Sequence, residues 1–328
     1  MTGIEPTSAM AEDSVQRWQQ DYLLRVRAHR AQLVGRARYG LKPPRRDRTA
    51  IITDSSAALP GVTRRHPLAA GIRVVPMPVM VGEQIYAEGS DELQAELPFA
   101  LATGTAVKTS RPSPGRILEE YEAAAQAGYA RAVSVHISSG LSGTVDAARV
   151  AAEQSPIPVT VVDSQSTGFG LGWTVLDAAV RAGFGQSAES IAEAATAEAT
   201  SGSVMFTVPN LEQLRRGGRI SALSGLLGAM FQIKPVLGLQ DGEITLIERT
   251  RSADRAQDRL VAVAQERAEG APARIAVHGY GNRPDALALA ERLSPYSETP
   301  VPVIDLPAVL AAHLGLGGLG VVVTDSPF

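Results

Sequence analysis

The stretch Ala132-Val133-Ser134-Val135-His136-Ile137-Ser138-Ser139-Gly140-Leu141-Ser142-Gly143-Thr144 decides the fold. Its apolar opening reads as a buried strand, and a helical pattern follows from Val145 to Glu153. Between them lies a cluster of hydroxyls and glycines. A strand that ends in such a cluster presents hydroxyl donors and bare backbone N–H groups at one point, which suits an oxygen-rich, anionic group. The same residues also read as a loop that caps the next helix. Taken alone, the two readings stand level.

The strand-then-helix unit recurs on both sides. Ala50-Ile51-Ile52-Thr53 is a short buried strand ending in Asp54-Ser55-Ser56, and Val159 to Val162 is another ending in Asp163-Ser164. Val74 to Val81 reads as one strand, and Arg116 to Ala127 as a helix behind Pro114-Gly115. Apolar runs that each lead into a helix predict an α/β fold with a parallel sheet covered on both faces. Functional groups then collect at the carboxyl ends of the strands, so Asp54-Ser55, Ser138-Ser139 and Asp163-Ser164 are expected on one rim.

From about Gly170 the pattern resets into a second α/β domain. Helices are expected over 173–182, 188–199, 211–216, 223–231 and 253–269, and strands over 204–208, 275–278, 301–304 and 320–324. Pro235 to Leu239 and Ile244 to Glu248 flank Asp241-Gly242, a hairpin turn signal. Residues 1–48 stand apart. Arg17, Arg25, Arg27, Arg30, Arg36, Arg38, Lys42, Arg45, Arg46 and Arg48 face only Asp21 and Asp47 over the same stretch. Trp18, Tyr22, Leu23, Val26, Leu33 and Val34 recur at helical spacing, giving a basic amphipathic helix ended by Gly40 and Pro43-Pro44. It reads either as an accessory helix packed on the protein or as a helix resting on an anionic membrane. The expected division is an extension over 1–48 and domains over 49–168 and 169–328.

The 328-residue chain is 45% apolar and 20% charged, a soluble globular balance, and its net charge of −3 gives no general case for nucleic acid. Without cysteine, disulfides, thiolate catalysis and Cys-ligated metal are excluded. No apolar run approaches the roughly 18 residues of a membrane span, and no secretory signal is seen, so the expected location is cytoplasmic, with peripheral contact at the inner membrane surface through the N-terminal helix. His29, His66, His136, His278 and His313 lack metal-ligand spacing. Gly315-Leu316-Gly317-Gly318-Leu319-Gly320 fits G-x-G-x-x-G, but a strand follows where the dinucleotide fingerprint needs a helix, so no cofactor is expected.

Read in order, the motifs resemble the DegV family. Ile51-Ile52-Thr53-Asp54-Ser55-Ser56 looks like its opening strand and Lys108-Thr109-Ser110-Arg111-Pro112-Ser113-Pro114 resembles its Thr-Ser-Gln-Pro segment. Ser138 to Thr144 matches its Ser-Ser-x-Leu-Ser-Gly-Thr motif, and Val162-Asp163-Ser164 its next strand end. Leu214-Arg215-Arg216-Gly217-Gly218-Arg219-Ile220-Ser221, Ile233-Lys234-Pro235-Val236-Leu237 and Asp241-Gly242 match its second-domain signature. Ala312-His313-Leu314-Gly315-Leu316-Gly317 stands where the family has His-Thr-Gly-Pro-Gly. The resemblance runs over about residues 49–325. It implies two α/β domains with a fatty acid in a tunnel between them and, for FakB-like members, presentation of the acyl carboxylate to a partner fatty acid kinase.

Carried over residue by residue, the carboxylate-binding positions are Thr109 with Ser110, Ser138, Ser139 and His313. The acyl-tunnel candidates are Leu223, Leu226, Leu227, Met230, Phe231 and Ile233, for which ordinary core packing is the competing reading. Arg215, Arg216 and Arg219 are expected to face the partner or the membrane, or else simply water. Arg111 replaces the family's Gln, Val145 its common Tyr, and Leu314 and Leu316 its Thr and Pro.

The chemistry is consistent. Each buried methylene contributes about 0.8 kcal/mol, while an unpaired buried carboxylate costs several kcal/mol, so a tail-binding site needs hydroxyl and imidazole donors at its head. The rival enzyme reading is a serine hydrolase acting on acyl esters, with Ser138, Ser139 or Ser142, His313, and Asp54 or Asp163 as nucleophile, base and orienter. The chain has no G-x-S-x-G elbow.

Overall fold

The computed structural model describes residues 6–34, 44–61, 71–220, 233–269 and 273–327, with the backbone alone for 6–8 and 29–34. The chain divides into two compact units, each discontinuous in sequence. One combines Met1–Asp21, Pro78–Thr109 and Gly202–Ser326; the other combines Tyr22–Met77, Ser110–Ser201 and Pro327–Phe328.

The long N-terminal helix α1 spans Pro6–Val34. The parallel-sheet unit carries β1 (Thr49–Asp54) and β2 (Ile72–Val75); its remaining strands, β6 (Arg131–His136) and β7 (Val159–Asp163), follow the excursion into the other unit. The order is β2-β1-β6-β7, and every pairing is parallel. The chain leaves β1 for β2 on one side, while β6 and β7 lie on the other. The gap between the carboxyl ends of β1 and β6 is therefore a topological switch point.

Between β2 and β6 come β3 (Pro78–Val81), β4 (Gln84–Ala87), α2 (Asp91–Thr103), β5 (Val107–Thr109) and α3 (Pro114–Gln126). The single strand expected over 74–81 is in fact two. Val75 ends in the parallel ladder with Asp54, and Pro78 begins an antiparallel sheet of order β4-β3-β5. Pro76 and Pro78 lack N–H donors, so neither can carry one ladder straight through.

One face of the parallel sheet is covered by α3 and by α4 (Thr144–Ala152). Ile52, Ile117, Tyr121, Ala124, Ala147 and Ala148 form that core with no exposure. Helices α5 (Gly168–Gly183) and α6 (Ala188–Ser201) cover the other face. Gly172 of α5 is required by close approach: a Cβ there would lie 2.4 Å from the Ala57 carbonyl oxygen.

The second unit is built on a six-stranded sheet. Its strands are β8 (Ser203–Thr207), β9 (Lys234–Gln240), β10 (Glu243–Thr250), β11 (Ala273–Gly279), β12 (Val303–Asp305) and β13 (Leu319–Asp325), in the order β10-β9-β8-β13-β11-β12. Only β11 and β12 pair in parallel. The Asp241-Gly242 turn forms as its dipeptide demands, with φ of 52° and 80°. Helices α8 (Ala253–Ala268) and α9 (Arg283–Leu293) pack on this sheet, while α7 (Glu212–Arg216) lies against α10 (Ala308–Leu314). The helix expected over 223–231 lies outside the described residues, as do Gly40 and Pro43.

Helix α1 spends its apolar stripe on the protein. Ala11, Val15, Trp18, Tyr22 and Val26 are all buried at spacings of three and four. Ala11 joins the core under the six-stranded sheet. Ser14 Oγ accepts from the Val303 N–H of edge strand β12 (3.0 Å) and donates to the Ala11 carbonyl (2.7 Å). Within the parallel-sheet unit, Tyr22 donates to the buried Asp177 carboxylate (2.7 Å). The accessory-helix reading is the one the packing supports. Trp18→Ala should therefore cost about 3–5 kcal/mol of stability in urea unfolding, since Trp18 is fully buried; a loss below about 1 kcal/mol would show that α1 is a dispensable appendage.

Candidate functional site

In the parallel-sheet unit the serine loop leaves β6 between two carboxylates. Asp54, at the end of β1, accepts from the Ile137 N–H (3.0 Å). Asp163, at the end of β7, accepts from the Ser139 N–H (3.1 Å) and from Gln165 N–H (3.0 Å). The Ser138 N–H goes to the Ser166 carbonyl, Gly140 N–H to Ser138 Oγ, and the Leu141 and Ser142 N–H groups to the Ser138 carbonyl. Every N–H from Ile137 to Ser142 thus has an internal acceptor. The bare N–H groups expected of this loop are not bare: Ser138 itself takes those of Gly140, Leu141 and Ser142, and acceptors on and after the neighbouring strand ends take those of Ile137, Ser138 and Ser139. What the loop offers is hydroxyl: Ser138 is buried, Ser139 exposed, and Ser142 Oγ is paired with Thr144 Oγ1 (2.8 Å).

Behind the loop runs a closed polar chain. Asp54, Ser134, His136 and Tyr121 have no solvent exposure. The Tyr121 hydroxyl donates to Ser134 Oγ (2.9 Å), Ser134 Oγ meets His136 Nε2 (2.7 Å), and His136 Nδ1 meets Asp54 Oδ2 (3.0 Å). With Ser134 donating onward to Nε2 and Nδ1–H donating to Asp54, each of these protons has an acceptor. Burial alone would raise the Asp54 pKa; the hydrogen bonds from His136, Ser56 and Ile137 outweigh it and hold the carboxyl below its ordinary value. Burial pushes the Tyr121 phenol up to about 12, against its bond to Ser134. The alternation Ser134, His136 on one strand was the available signal for this network, since both side chains point to the same face.

This geometry bears on the hydrolase reading. Asp54 holds His136, and the hydroxyl on the far side of that imidazole, Ser134, is fully buried and closed to any substrate. The Asp163 carboxylate is spent on backbone N–H groups rather than on an imidazole.

In the other unit, Thr109 Oγ1 and His313 Nε2 are 2.7 Å apart, which joins two of the sequence-selected residues. Thr109 ends β5. His313 lies in the last turn of α10, a helix where the motif alone indicated only a loop. Glu88 fixes the other end of α10, accepting from the Ala308 N–H (2.9 Å) and Val309 N–H (2.6 Å); burial raises its pKa against those two bonds.

Among the described residues, His313 Nδ1 is shielded from solvent and has no hydrogen-bond partner. It faces Gly217, where a Cβ would sit 2.1 Å from Nδ1. Gly217 is therefore a glycine for space, a role its place in the Arg-Arg-Gly-Gly run does not reveal. Burial first, and the Arg219 charge second, lower the His313 pKa to about 4, so the ring is neutral near pH 7. An Nδ1–H would be a buried donor without an acceptor, which costs more than an unused lone pair. Among these residues the arrangement that leaves no donor stranded puts the proton on Nε2, donated to Thr109 Oγ1, and frees the proton of the half-buried Thr109 hydroxyl.

Ser110 and Arg111 are exposed, and the Arg111 side chain lies over Gly143 of the serine loop, its Cδ 3.0 Å from where a Cβ would be. Arg215 and Arg216 are exposed and both bridge to Glu212 (2.9 and 2.8 Å), while Arg219 donates to the Gly217 carbonyl. Of the tunnel candidates, Ile233 is buried just before β9; Leu223, Leu226, Leu227, Met230 and Phe231 lie outside the described residues. A cavity of about 840 Å³ in this unit mixes the charged Glu12, Glu88, Arg283 and Asp305 with apolar residues such as Leu306 and Leu316, and includes none of the tunnel candidates. Among the described residues no group of acidic or histidine side chains is placed to hold a metal ion, and no helix is long and apolar enough to cross a membrane.

A parallel sheet with hydroxyls at its switch point and a second unit carrying a hydroxyl–imidazole pair define a two-unit α/β protein. The chain belongs to the DegV family: the model described as "Uncharacterised protein, DegV family" matches residues 48–326. It is 41% identical over 281 residues to a DegV domain-containing protein of Streptomyces coelicolor, covering 84% of this chain and 98% of that one. A fatty-acid-binding DegV family protein of Thermus thermophilus superposes with TM-score 0.79 at 33% identity, over 85% of this chain and all of the other. DegV of Bacillus subtilis, a fatty acid binding protein, does so with TM-score 0.73 at 27% identity, over 85% and 99%. The basic N-terminal helix lies outside the matched region.

The lowered His313 pKa makes a signed prediction. Below pH 6.5 the unfolded chain binds a proton at this site that the native state refuses until about pH 4. Stability relative to a His313→Gln variant should therefore fall on acidification across that window, by up to about 1.4 kcal/mol per pH unit. A constant gap between the two proteins in urea melts from pH 7.5 to 4.5 would refute the assignment.

Proposed function

We propose that this protein binds a long-chain fatty acid and holds its carboxylate through hydroxyl groups. The observation that carries the reading is the Thr109–His313 pair: an imidazole stands 2.7 Å behind a half-buried threonine hydroxyl. Ser138 and Ser139 are proposed as carboxylate-binding hydroxyls as well, with Ser110 next to Thr109 in the chain. His313 acts on the ligand through Thr109. Fatty-acid-binding relatives of the same fold support the ligand class. Ile233 and the apolar run from Leu223 to Phe231 are proposed for the tail.

The finer reading follows from the resemblance to FakB-like proteins: a non-catalytic carrier that presents the acyl carboxylate to a partner fatty acid kinase, with Arg215, Arg216 and Arg219 on the partner- or membrane-facing surface, and no cofactor of its own. A cytoplasmic carrier that touches the inner membrane would do so through those arginines or the basic face of α1, since the described apolar stripe of α1 is already buried.

Native mass spectrometry of protein purified from cells, followed by titration with palmitate and oleate, tests this directly. A co-purifying or added acyl chain is expected at one per chain. Thr109→Val should weaken palmitate binding by about tenfold, the loss of one hydrogen bond to a charged group. Absence of uptake would sink the proposal, and turnover of p-nitrophenyl esters abolished by Ser138→Ala or Ser139→Ala would establish the hydrolase in its place.

A further inference from the structure

We propose that Asp163 and Asp54 are positioning residues for the head-group serines: the two carboxylates set the direction in which Ser138 and Ser139 present their hydroxyls. The inference rests on the reading of those serines as carboxylate-binding groups and assigns what aims them.

The strands place the two acids level with each other. His136 is paired in register with Asp163 on β7, and on the other side the ladder pairs Ser134 with Ile52, two residues before His136 and Asp54 respectively. Past His136 the chain leaves the sheet. Its next N–H groups go to Asp54 from Ile137, to the Ser166 carbonyl from Ser138, and to Asp163 from Ser139. The backbone on either side of Ser138 is thereby pinned to both neighbouring strands.

Electrostatics argues that placement is the purpose. Two carboxylates at the base of a loop that binds an anion work against that anion, because like charges raise the cost of each ionised form. They are tolerable because each is spent on hydrogen bonds: Asp54 on Ile137, Ser56 and His136, Asp163 on Ser139 and Gln165. Their effect is to use up backbone donors, so recognition passes to hydroxyls whose position is fixed. The turn after β7 also carries a cost. Gln165 has φ of 47°, a left-handed conformation that a non-glycine residue adopts only when its surroundings hold it there. The Asp163 bond to the Gln165 N–H is part of that hold, and the same oxygen takes the Ser139 N–H.

Asp163 is the better test because it is only partly buried, whereas Asp54 is wholly so. Asp163→Ala removes the shared acceptor. Asp163→Asn keeps a side-chain oxygen able to accept both N–H groups and removes only the charge. We expect the alanine variant to remain folded, with a lowered melting temperature, and to bind palmitate about tenfold more weakly at a temperature where it is fully native, and the asparagine variant to recover to within about twofold of wild type. Hydrogen exchange at the Ser139 amide gives a second readout: slow in wild type and in Asp163→Asn, fast in Asp163→Ala. Unchanged palmitate affinity in Asp163→Ala overturns the proposal. So does an asparagine variant as weak as the alanine one, which would make charge rather than placement the cause, or a Ser139 amide that exchanges freely in wild type. Failure of the wild-type protein to bind palmitate at all is a different outcome and removes the fatty-acid reading itself.

Discussion

The Asp54 carboxylate is buried at the end of the first strand, and much of the parallel-sheet unit is arranged to keep it ionised there. A carboxylate taken from water must be repaid by donors, or it protonates. Its donors come from the turn that follows it (Ser56), from the next strand (His136) and from the loop that strand feeds (Ile137). Satisfying one charge therefore fixes the exit of β1, the pairing edge of β6 and the start of the serine loop together. Core packing and site geometry are one constraint here: Tyr121, which seals the core beneath α3, ends the same hydrogen-bonded chain.

The protein uses a hydroxyl–imidazole pair twice, with opposite consequences. Ser134 with His136 and Thr109 with His313 are each 2.7 Å apart through Nε2. What stands at the other ring nitrogen separates them. At His136 it is Asp54, so the proton chain terminates in a carboxylate and is sealed from solvent. At His313 it is Gly217, with the Arg219 charge near enough to oppose protonation, and the hydroxyl is left half-buried. A hydrolytic triad needs an acid-backed imidazole and an open hydroxyl in the same place. Here the acid-backed imidazole has the closed hydroxyl, and the open hydroxyl has the imidazole without an acid. Binding an oxyanion needs no more than the second arrangement.

Much of this was legible in the sequence because it is local. Strand β6, its serine loop and helix α4 follow from one apolar run and a hydroxyl cluster, and the Asp241-Gly242 turn follows from the two residues that tolerate positive φ. The resemblance selected Thr109 and His313 separately as head-group residues; their direct contact across 204 residues was not read from the sequence. Three more things were not legible, each because the deciding partner is remote. The acceptors for the Ile137 and Ser139 N–H groups sit 83 and 24 residues away at Asp54 and Asp163, so these two donors, which look bare in sequence, are occupied. The break between β2 and β3 depends on Val75 and Pro78 joining different sheets. The helical setting of His313 depends on Glu88 accepting from the first N–H groups of α10, 220 residues further on.

Helix α1 shows how an addition becomes part of a fold. Its basic composition drew attention to its surface, yet its structural work is done by residues that carry no charge. An edge strand exposes N–H groups that must find water or a partner, and Ser14 supplies one to Val303 of β12. A buried aspartate in a helix needs a donor, and Tyr22 supplies one to Asp177. Both partners lie within the span matched by the family model, while the helix that satisfies them lies outside it. A segment holding two such obligations and a fully buried tryptophan cannot leave the protein to insert its apolar face elsewhere without exposing all three. The arginines on its outer face, Arg17 and Arg27, are exposed, so any electrostatic role they have is exercised with the helix in place.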